Sequence, residues 1–178
     1  SIPDPRGKTL GGSSSINGFL YIRGQEQDYN IWRQLGNKGW SWKDVLPYFI
    51  KSENQERGKN DYHGDDGPLS VSDPRIKLDL LERFMDAAEE KGIPKIDDFN
   101  KGDNFGCGYF QVTERNGLRC SAAVGYLNPI KKRKNLKIET NCHVEKINFD
   151  GTKAVSVSFW KGNETNIVSA NKEILLSA

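Results

Sequence analysis

The sequence predicts a mixed α/β fold, α+β in part, with helices concentrated in its first two thirds and strands in its last third. Three observations predict this. Apolar residues recur at three- and four-residue spacing behind helix-capping residues before residue 95. From Leu136 onward apolar and polar residues alternate between glycine-containing turns. The closing apolar run at residues 174–176 has the composition of a buried parallel strand.

Three helices are predicted in the first half of the chain. Residues 28–35 form an amphipathic pattern closed by Gly36, and residues 41–52 begin with the capping pattern Ser41-x-x-Asp44. Pro47 predicts a kink or a late start in that second helix, because proline lacks the backbone N–H. A third helix is predicted to open at Asp73-Pro74 and to end before Gly92.

The segments between these helices have distinct compositions. Residues 52–66 are polar and charged, which predicts an exposed connection, and residues 68–72 predict a short strand. Residues 97–107 alternate Asp, Asn and Gly but lack the calcium-binding EF-hand spacing, so we expect a solvated turn and no metal site. Residues 109–113 predict a strand, and residues 119–127 predict a helix.

The last third predicts a β-meander between two further strands. The predicted strands cover residues 136–140, 144–149, 155–159, 167–168 and 174–176. Asp150-Gly151 is a strong hairpin signal, and Gly162-Asn163 turns the chain again. We expect core positions for Met85 and for the tryptophans, since large aromatic side chains dominate core burial. Those tryptophans are Trp32, Trp40 and Trp42.

The most informative stretch is a glycine- and serine-rich run at residues 7–18. Glycine permits positive φ and close backbone approach, and successive glycines and serines can direct N–H groups and hydroxyls at an anion such as a pyrophosphate. Asn17 adds an amide that both donates and accepts, which suits the mixed edge of a heterocycle. A flexible linker has a similar composition. Apolar residues follow at 19–22, however, which favours a loop fixed against a core.

Several ordered motifs resemble those of the glucose–methanol–choline (GMC) flavoprotein oxidoreductases. The resemblance covers essentially the whole chain. It rests on residues 7–18 as the first signature, Tyr21-Ile22-Arg23-Gly24, Asn60-Asp61-Tyr62-His63-Gly64, residues 67–71, Arg119-Cys120-Ser121-Ala122-Ala123, Tyr126-Leu127 and residues 171–178.

The resemblance implies a central fragment of such an enzyme, made of Rossmann-like FAD-binding pieces, a β-meander and part of a substrate domain. Residues 1–65 and 119–178 correspond to FAD-binding segments, and residues 66–118 to a substrate-domain segment. The family's Gly-x-Gly-x-x-Gly fingerprint belongs before this region and its catalytic histidine after it. We therefore expect no catalytic residue in this chain, and neither tight FAD binding nor alcohol oxidation by the chain alone.

The resemblance also implies a set of cofactor-binding positions. Gly12 and Ser13 match the glycine loop against the cofactor, Asn17 and Gly18 lie beside the isoalloxazine ring, and Leu20 gives a backbone contact. Val144 matches the residue whose main chain holds the adenine. The complete predicted set is Gly11, Gly12, Ser13, Asn17, Gly18, Leu20 and Val144.

The implied activity is FAD-dependent oxidation of a primary alcohol by hydride transfer to flavin N5, with choline to betaine aldehyde as the leading reaction. Alternatives are another alcohol dehydrogenase or oxidase of the family, a flavin-retaining hydroxynitrile-lyase-type enzyme, and a non-enzymatic binding module. The FAD is expected to be non-covalent, because Ile16 occupies the position where flavin-linked members carry a histidine.

Charge and composition restrict the classes of partner expected for this protein. The net charge of +2 gives no electrostatic case for nucleic acid, and no apolar run is long enough to span a bilayer. Three cysteines without metal-type spacing indicate free thiols in a reducing compartment, and we expect a cytoplasmic protein, or one peripheral to the inner membrane. The expected partners are a small alcohol and an electron acceptor. A homo-oligomer is left open.

Overall fold

The computed structural model describes residues 5–177 and divides into two compact units, Ser1–Lys131 and Lys132–Ala178. In the first unit, a short 3₁₀ turn at Gly12–Ser15 precedes three helices, and a π-helical turn lies at Ala123–Leu127 within the predicted helix. The helices are α1 (Glu26–Gln34), α2 (Trp42–Ser52) and α3 (Asp79–Glu90). Among residues 5–177 no helix has the length and apolar character needed to cross a membrane.

Among residues 5–177, seven strands form three small sheets. The first unit holds a parallel pair, β1 (Glu53–Gln55) with β2 (Leu69–Val71), and an antiparallel pair, β3 (Glu114–Arg115) with β4 (Leu118–Arg119). The second unit holds an antiparallel sheet of three strands, β5 (Cys142–Asp150), β6 (Lys153–Lys161) and β7 (Glu164–Ser169).

The starts of α1 and α2 follow from capping boxes. At α2, Ser41 and Asp44 bond reciprocally to each other's backbone N–H groups, as the sequence predicts. The acidic residue also lies at the positive end of the helix. The helix begins at Trp42 although Pro47 lies inside it, so the predicted late start is wrong.

The third helix begins at Asp79, later than the predicted start at Asp73-Pro74. The Asp73 carboxylate does not cap a helix, because it accepts hydrogen bonds from the side chains of Arg57 and Gln111 at 3.1 and 2.9 Å. The preceding residue, Ser72, pairs with Val112 through two backbone hydrogen bonds of 2.9 Å. This pairing keeps the chain extended past Asp73.

The predicted strand at residues 109–113 forms only as isolated bridges, but it lies at the centre of the first unit. Val112 is buried and bridges Leu20 on one side and Ser72 on the other. The Tyr21 N–H donates to the Gln111 carbonyl at 2.7 Å. This segment therefore fastens the chain just after the glycine loop to the body of the unit.

The prediction of an exposed connection at residues 52–66 is confirmed for residues 56–57, 59–61 and 65–66 and is wrong for the rest of the segment. Strand β1 begins there, and Glu53, Gln55 and His63 are buried. Polar composition indicated solvent exposure, whereas these side chains are satisfied by one another inside the unit. Among the described residues, the buried apolar side chains are few: Tyr21, Trp42, Val71, Met85, Val112 and Cys120.

The core predictions for Met85 and Trp42 are confirmed. Trp32 and Trp40 remain about half exposed and pack edge to face against each other with ring centroids 5.6 Å apart.

The second unit confirms the β-meander. Strands β5 and β6 join at the predicted Asp150-Gly151 turn, and β6 and β7 join at Gly162-Asn163. The predicted strands at residues 136–140 and 174–176 are not formed. Among the described residues neither segment has a strand beside it, and a strand requires a neighbour for its N–H and C=O groups. Leu175 and Leu176 are mostly exposed.

Candidate functional site

The glycine loop is a tight turn with one crowded and one open side. Gly11 and Gly12 have φ angles of 89° and 54°, the left-handed region that glycine adopts without strain. A Cβ on Gly11 would lie 2.4 Å from Ser15 Oγ and 3.2 Å from Ala123 Cβ. A Cβ on Gly12 or on Gly18 would have no protein atom within 4 Å. The loop thus rests on the protein at Gly11 and leaves Gly12 and Gly18 open.

Two of the serine hydroxyls hold the loop and do not face outward. Ser14 Oγ donates to the Gly11 carbonyl at 2.5 Å and accepts from the Ala122 N–H at 2.9 Å. Ser15 Oγ donates to the Leu10 carbonyl at 2.9 Å. The expectation that these hydroxyls face an anion is therefore wrong for Ser14 and Ser15, because their protons are committed to carbonyls of the loop itself.

The side chain of Asn17 is held by its oxygen. Asn17 Oδ1 accepts from the Phe19 N–H at 3.0 Å and from Arg119 Nη1 at 2.7 Å. Arg119 Nη1 also lies 3.2 Å from the Ser14 carbonyl, and its guanidinium is 4.7 Å from the centroid of the Phe19 ring. Arg119 therefore connects the two ends of the turn through an ionic hydrogen bond and a cation–π contact.

The end of the loop is anchored by backbone pairing. The Phe19 carbonyl accepts from the Thr113 N–H at 2.8 Å and from Thr113 Oγ1 at 3.2 Å. Phe19 has a φ of 46°, an uncommon conformation for a non-glycine residue. Leu20 bridges Val112 through its backbone, while its side chain is about half exposed. The strand-like segment before β3 thus fixes the position of the loop.

The structure brings six of the seven predicted cofactor-binding residues into one stretch of the first unit. Gly11, Gly12 and Ser13 form the turn, and Asn17, Gly18 and Leu20 follow it. Val144 lies in β5 of the second unit, opposite Phe159, with its side chain about half exposed. The binding role of all seven residues stays a prediction. The division into segments 1–65, 66–118 and 119–178 also stays one, because it concerns their place in a larger protein.

A charged cluster, mostly buried, is formed by Arg23, Glu53, His63 and Asp98. Arg23 Nη2 donates to Glu53 Oε2 at 2.7 Å, and Arg23 Nε donates to Tyr21 Oη at 3.1 Å. Burial raises the pKa of the Tyr21 phenol to about 12, against the opposing effect of Arg23. Tyr21 directly follows the loop, so the cluster and the loop share one segment of chain.

His63 lies between two carboxylates. Its Nδ1 is 2.9 Å from Glu53 Oε2, and its Nε2 is 3.0 Å from Asp98 Oδ2. Carboxylates only accept, so both ring nitrogens donate and the ring is an imidazolium. Burial opposes this charge, but the hydrogen bonds to Asp98 and Glu53 outweigh it and raise the pKa of His63 to about 9. Both ring nitrogens of His63 are therefore committed to structural hydrogen bonds.

Sequence reasoning missed two residues that organise this region. Arg119 begins the motif at residues 119–123. Nothing in the sequence indicated that its side chain would bond to Asn17, more than 100 positions earlier. Glu53 lies in a run of charged residues that resembles a solvated surface. Only the three-dimensional structure reveals that Glu53 is buried. Among residues 5–177 no group of three His, Cys, Asp or Glu side chains is arranged to hold a metal ion.

The whole chain matches one protein-family model. The model, described as GMC oxidoreductase, aligns with residues 2–178. The chain belongs to the GMC oxidoreductase family. The resemblance drawn from the motifs is thereby confirmed, and so is the mixed α/β assignment to a piece of that fold.

Curated relatives of this GMC oxidoreductase chain include choline dehydrogenases. The oxygen-dependent choline dehydrogenase of Sinorhizobium fredii is 41% identical over 177 residues, which is 99% of this chain and 32% of the relative. The mitochondrial choline dehydrogenase of Homo sapiens is 40% identical over 173 residues, which is 97% of this chain and 29% of the relative. The chain thus spans about one third of the length of these relatives.

Solved structures show the same arrangement of the chain. Pyridoxine 4-oxidase from Mesorbium loti superimposes with a TM-score of 0.87 at 30% identity, covering 93% of this chain and 33% of that protein. An FAD-dependent oxidoreductase from Chaetomium thermophilum gives a TM-score of 0.87 at 32% identity, covering 94% of this chain and 32% of that protein.

Proposed function

We propose that this GMC chain is part of an FAD-dependent alcohol oxidoreductase, and that choline, oxidised to betaine aldehyde, is its substrate. The observation that carries the proposal is the open side of the glycine loop. The backbone at Gly12 and Gly18 is accessible, because no protein atom lies within 4 Å of where a Cβ would be. Gly11, in contrast, is tightly packed against Ser15 and Ala123. A planar ligand can approach such a surface to backbone distance.

The residues present fit FAD. The side-chain nitrogen of Asn17 has no hydrogen-bond partner among residues 5–177, and Asn17 is exposed beside Gly18. Gly12, Ser13, Asn17 and Gly18 would hold the cofactor, with Leu20 adding a backbone contact. FAD, when bound, supplies the hydride acceptor at flavin N5. The chain's own contribution is an accessible backbone surface, held by the hydrogen bonds of Ser14, Arg119 and Thr113, that would orient the ring.

The second unit contributes Val144 to the proposal. Val144 pairs with Phe159 on β5, and each residue's main chain carries one donor and one acceptor, which is what holding an adenine edge requires. We assign it to the adenine on the strength of the family resemblance.

The proposal of choline rests on the 40–41% identity to curated choline dehydrogenases. A second candidate is an aromatic primary alcohol, favoured by the likeness to pyridoxine 4-oxidase at 30% identity. The test is a substrate panel with the purified intact protein, following dye reduction and oxygen consumption separately. Choline should give the highest kcat/KM. Efficient turnover of other alcohols without choline turnover would contradict the substrate assignment.

The same panel separates oxidation from lyase chemistry. A hydroxynitrile-lyase-type enzyme would release cyanide from a cyanohydrin and leave a redox dye unchanged, whereas an alcohol oxidoreductase reduces the dye in the presence of its substrate. Because the bacterial relatives are named oxygen-dependent, we propose molecular oxygen as one electron acceptor. Oxygen uptake without dye tests this acceptor directly. A cytoplasmic location remains our proposal.

The FAD is proposed to be non-covalent. Isoleucine has no nucleophilic atom for bonding to a flavin methyl group, and Ile16 is about half exposed at the end of the turn. Denaturing and precipitating the holoenzyme should leave the yellow flavin in the supernatant. An I16H variant provides the contrasting side chain at the same position. Flavin that stays with the wild-type pellet would contradict a non-covalent cofactor.

A further inference from the structure

We propose that Arg119 is a positioning residue that turns the Asn17 amide nitrogen outward, so that Asn17 serves FAD as a hydrogen-bond donor and not as an acceptor. This inference rests on the proposed function. It deepens that proposal by assigning a direction to the hydrogen bond at Asn17.

The oxygen of the Asn17 amide is fully engaged inside the protein. It accepts from the Phe19 N–H at 3.0 Å and from Arg119 Nη1 at 2.7 Å. An amide oxygen has two lone pairs, so these two donors use both of them. The nitrogen, with two N–H groups, is the part of the side chain that remains for a ligand.

This orientation follows from chemistry and not only from the placement of atoms. The oxygen and nitrogen of an asparagine amide have nearly the same shape, and their assignment depends on the hydrogen-bond partners. A backbone N–H and a guanidinium can only donate. The atom that faces Phe19 and Arg119 must therefore be the oxygen, whichever way the amide is drawn.

Arg119 is itself held in place by contacts that do not involve Asn17. It belongs to β4, which pairs with β3 through Arg119 and Glu114. Its guanidinium also donates to the Ser14 carbonyl at 3.2 Å and lies over the Phe19 ring. The residues after Arg119 support the turn as well, since the Ala122 N–H donates to Ser14 Oγ at 2.9 Å. Arg119, held by these contacts, can therefore set the orientation of the Asn17 amide.

A donor at this position selects which part of a flavin it meets. The edge of an isoalloxazine ring offers several acceptors (N1, O2, O4 and N5) and one donor, N3–H. The Asn17 N–H groups can bond to these acceptors. They cannot bond to N3–H, because both groups are donors. N5 carries a hydrogen once the flavin is reduced, whereas N1, O2 and O4 gain electron density. We assign the Asn17 donor to one of these three atoms, where it favours the reduced ring, so its loss lowers the midpoint potential of the flavin as well as its affinity.

The test compares variants of the intact holoenzyme. N17D keeps an acceptor for Phe19 and Arg119 but offers no donor, R119M removes the orienting cation, and R119K restores a single-point donor. R115M is the matched control, because Arg115 lies on the paired strand β3 and contacts Ser70, not Asn17. For each variant, the dissociation constant for FAD, the flavin absorption spectrum, the midpoint potential and thermal unfolding are measured.

N17D and R119M should each raise the dissociation constant for FAD about tenfold, the range of one hydrogen bond, and lower the midpoint potential. R119K should fall between R119M and wild type, and R115M should match wild type. In an N17A background R119M should leave the midpoint potential unchanged, because Arg119 acts on the flavin through Asn17, and the loss of its contacts with Ser14 and Phe19 should appear in thermal unfolding. If R119M fails to fold, the same cycle is carried out with R119K.

Three results would overturn the inference: an N17D protein with wild-type affinity and potential, additive effects of R119M and N17A on the midpoint potential, or an R119M protein that folds and binds FAD like wild type. Failure of the proposed function has a different signature, because the wild-type protein would then bind no FAD at all.

Discussion

The glycine loop and the buried charged cluster both pair their polar side chains internally, but only the loop leaves backbone accessible. In the cluster, Arg23, Glu53 and His63 are almost completely buried, and each is paired with a group of opposite charge. In the loop, the hydroxyls of Ser14 and Ser15 satisfy the loop's own carbonyls and leave an exposed backbone surface. In the cluster the paired groups are buried, whereas the loop leaves the backbone at Gly12 and Gly18 accessible to a ligand.

The two regions are connected through one short stretch of chain. Tyr21 bonds to Arg23 in the cluster, and its N–H bonds to the Gln111 carbonyl beside the loop's anchor at Leu20. Through Tyr21 the cluster therefore helps to hold the segment that follows the loop. Damage to the cluster should therefore appear as lost stability, whereas changes on the open side of the loop should appear as lost binding.

The largest expected effect is on the cluster. Glu53→Ala leaves Arg23 and His63 buried without their common carboxylate, and we expect the free energy of unfolding to fall by about 3–5 kcal/mol. Urea denaturation of the intact protein measures this. Glu56→Ala is the control, because Glu56 forms an exposed ion pair with Arg75 and should change stability by about 1 kcal/mol or less. Equal effects of the two variants would contradict the comparison.

A smaller effect is expected from pH, since titration of His63 removes its charge and leaves its contacts in place. The pKa of His63 is raised from 6.5 to about 9 in the folded protein. Its stabilising contribution is therefore complete below about pH 6.5 and is lost as the pH rises through about 9. The free energy of unfolding should fall across that interval.

Denaturation series at several pH values check the role of His63. The H63Q variant should lose this component of the pH dependence, whereas H143Q should keep it, because His143 is exposed on β5. A pH dependence between about 6.5 and 9 that survives in H63Q would assign the titration to another group.

On the open side of the loop, Gly18→Ala separates binding from stability. Gly18 does not have a positive φ, and the new methyl group meets no protein atom within 4 Å, so thermal unfolding of the apoprotein should be unchanged. If FAD lies against this surface, the dissociation constant for FAD should rise about tenfold or more. Gly11→Ala is the contrasting variant, because its methyl group collides with Ser15 Oγ and the apoprotein itself should lose stability. Wild-type FAD affinity in G18A would move the cofactor away from this face.

The smallest effect is expected at Val144. The proposed adenine contact there uses the main chain, and the side chain is already about half exposed in β5. Val144→Ala should therefore change the dissociation constant for FAD by less than about threefold, compared with about tenfold for G18A. Fluorescence titration of the two variants side by side provides the measurement. A V144A effect as large as that of G18A would assign the contact to the side chain.

Local patterns in the sequence predicted those parts of the fold that local interactions decide. The predicted capping box at the start of α2 lies within four residues of chain, and the Asp150-Gly151 and Gly162-Asn163 hairpins join adjacent strands. The first helix was predicted from residue 28, and it begins two residues earlier, at Glu26, where the sequence analysis predicted no cap. The family was also readable, because its motifs are short runs of residues. The predictions that were wrong depended on distant partners. Residues 174–176 resemble a strand in composition, but no strand lies beside them among the described residues.

By itself, the sequence determined which local features the chain has: a glycine loop, the Asn17 amide beside it and a β-meander. Tertiary structure decided how those groups are used. Only the fold brings Arg119 to Asn17 and so fixes which atom of the amide faces outward. Only the fold buries Glu53 and His63 between Arg23 and Asp98, in a segment whose composition predicts exposure. The physical reason is that a charge is stable in the interior only beside its partner, and that partner can lie anywhere along the chain.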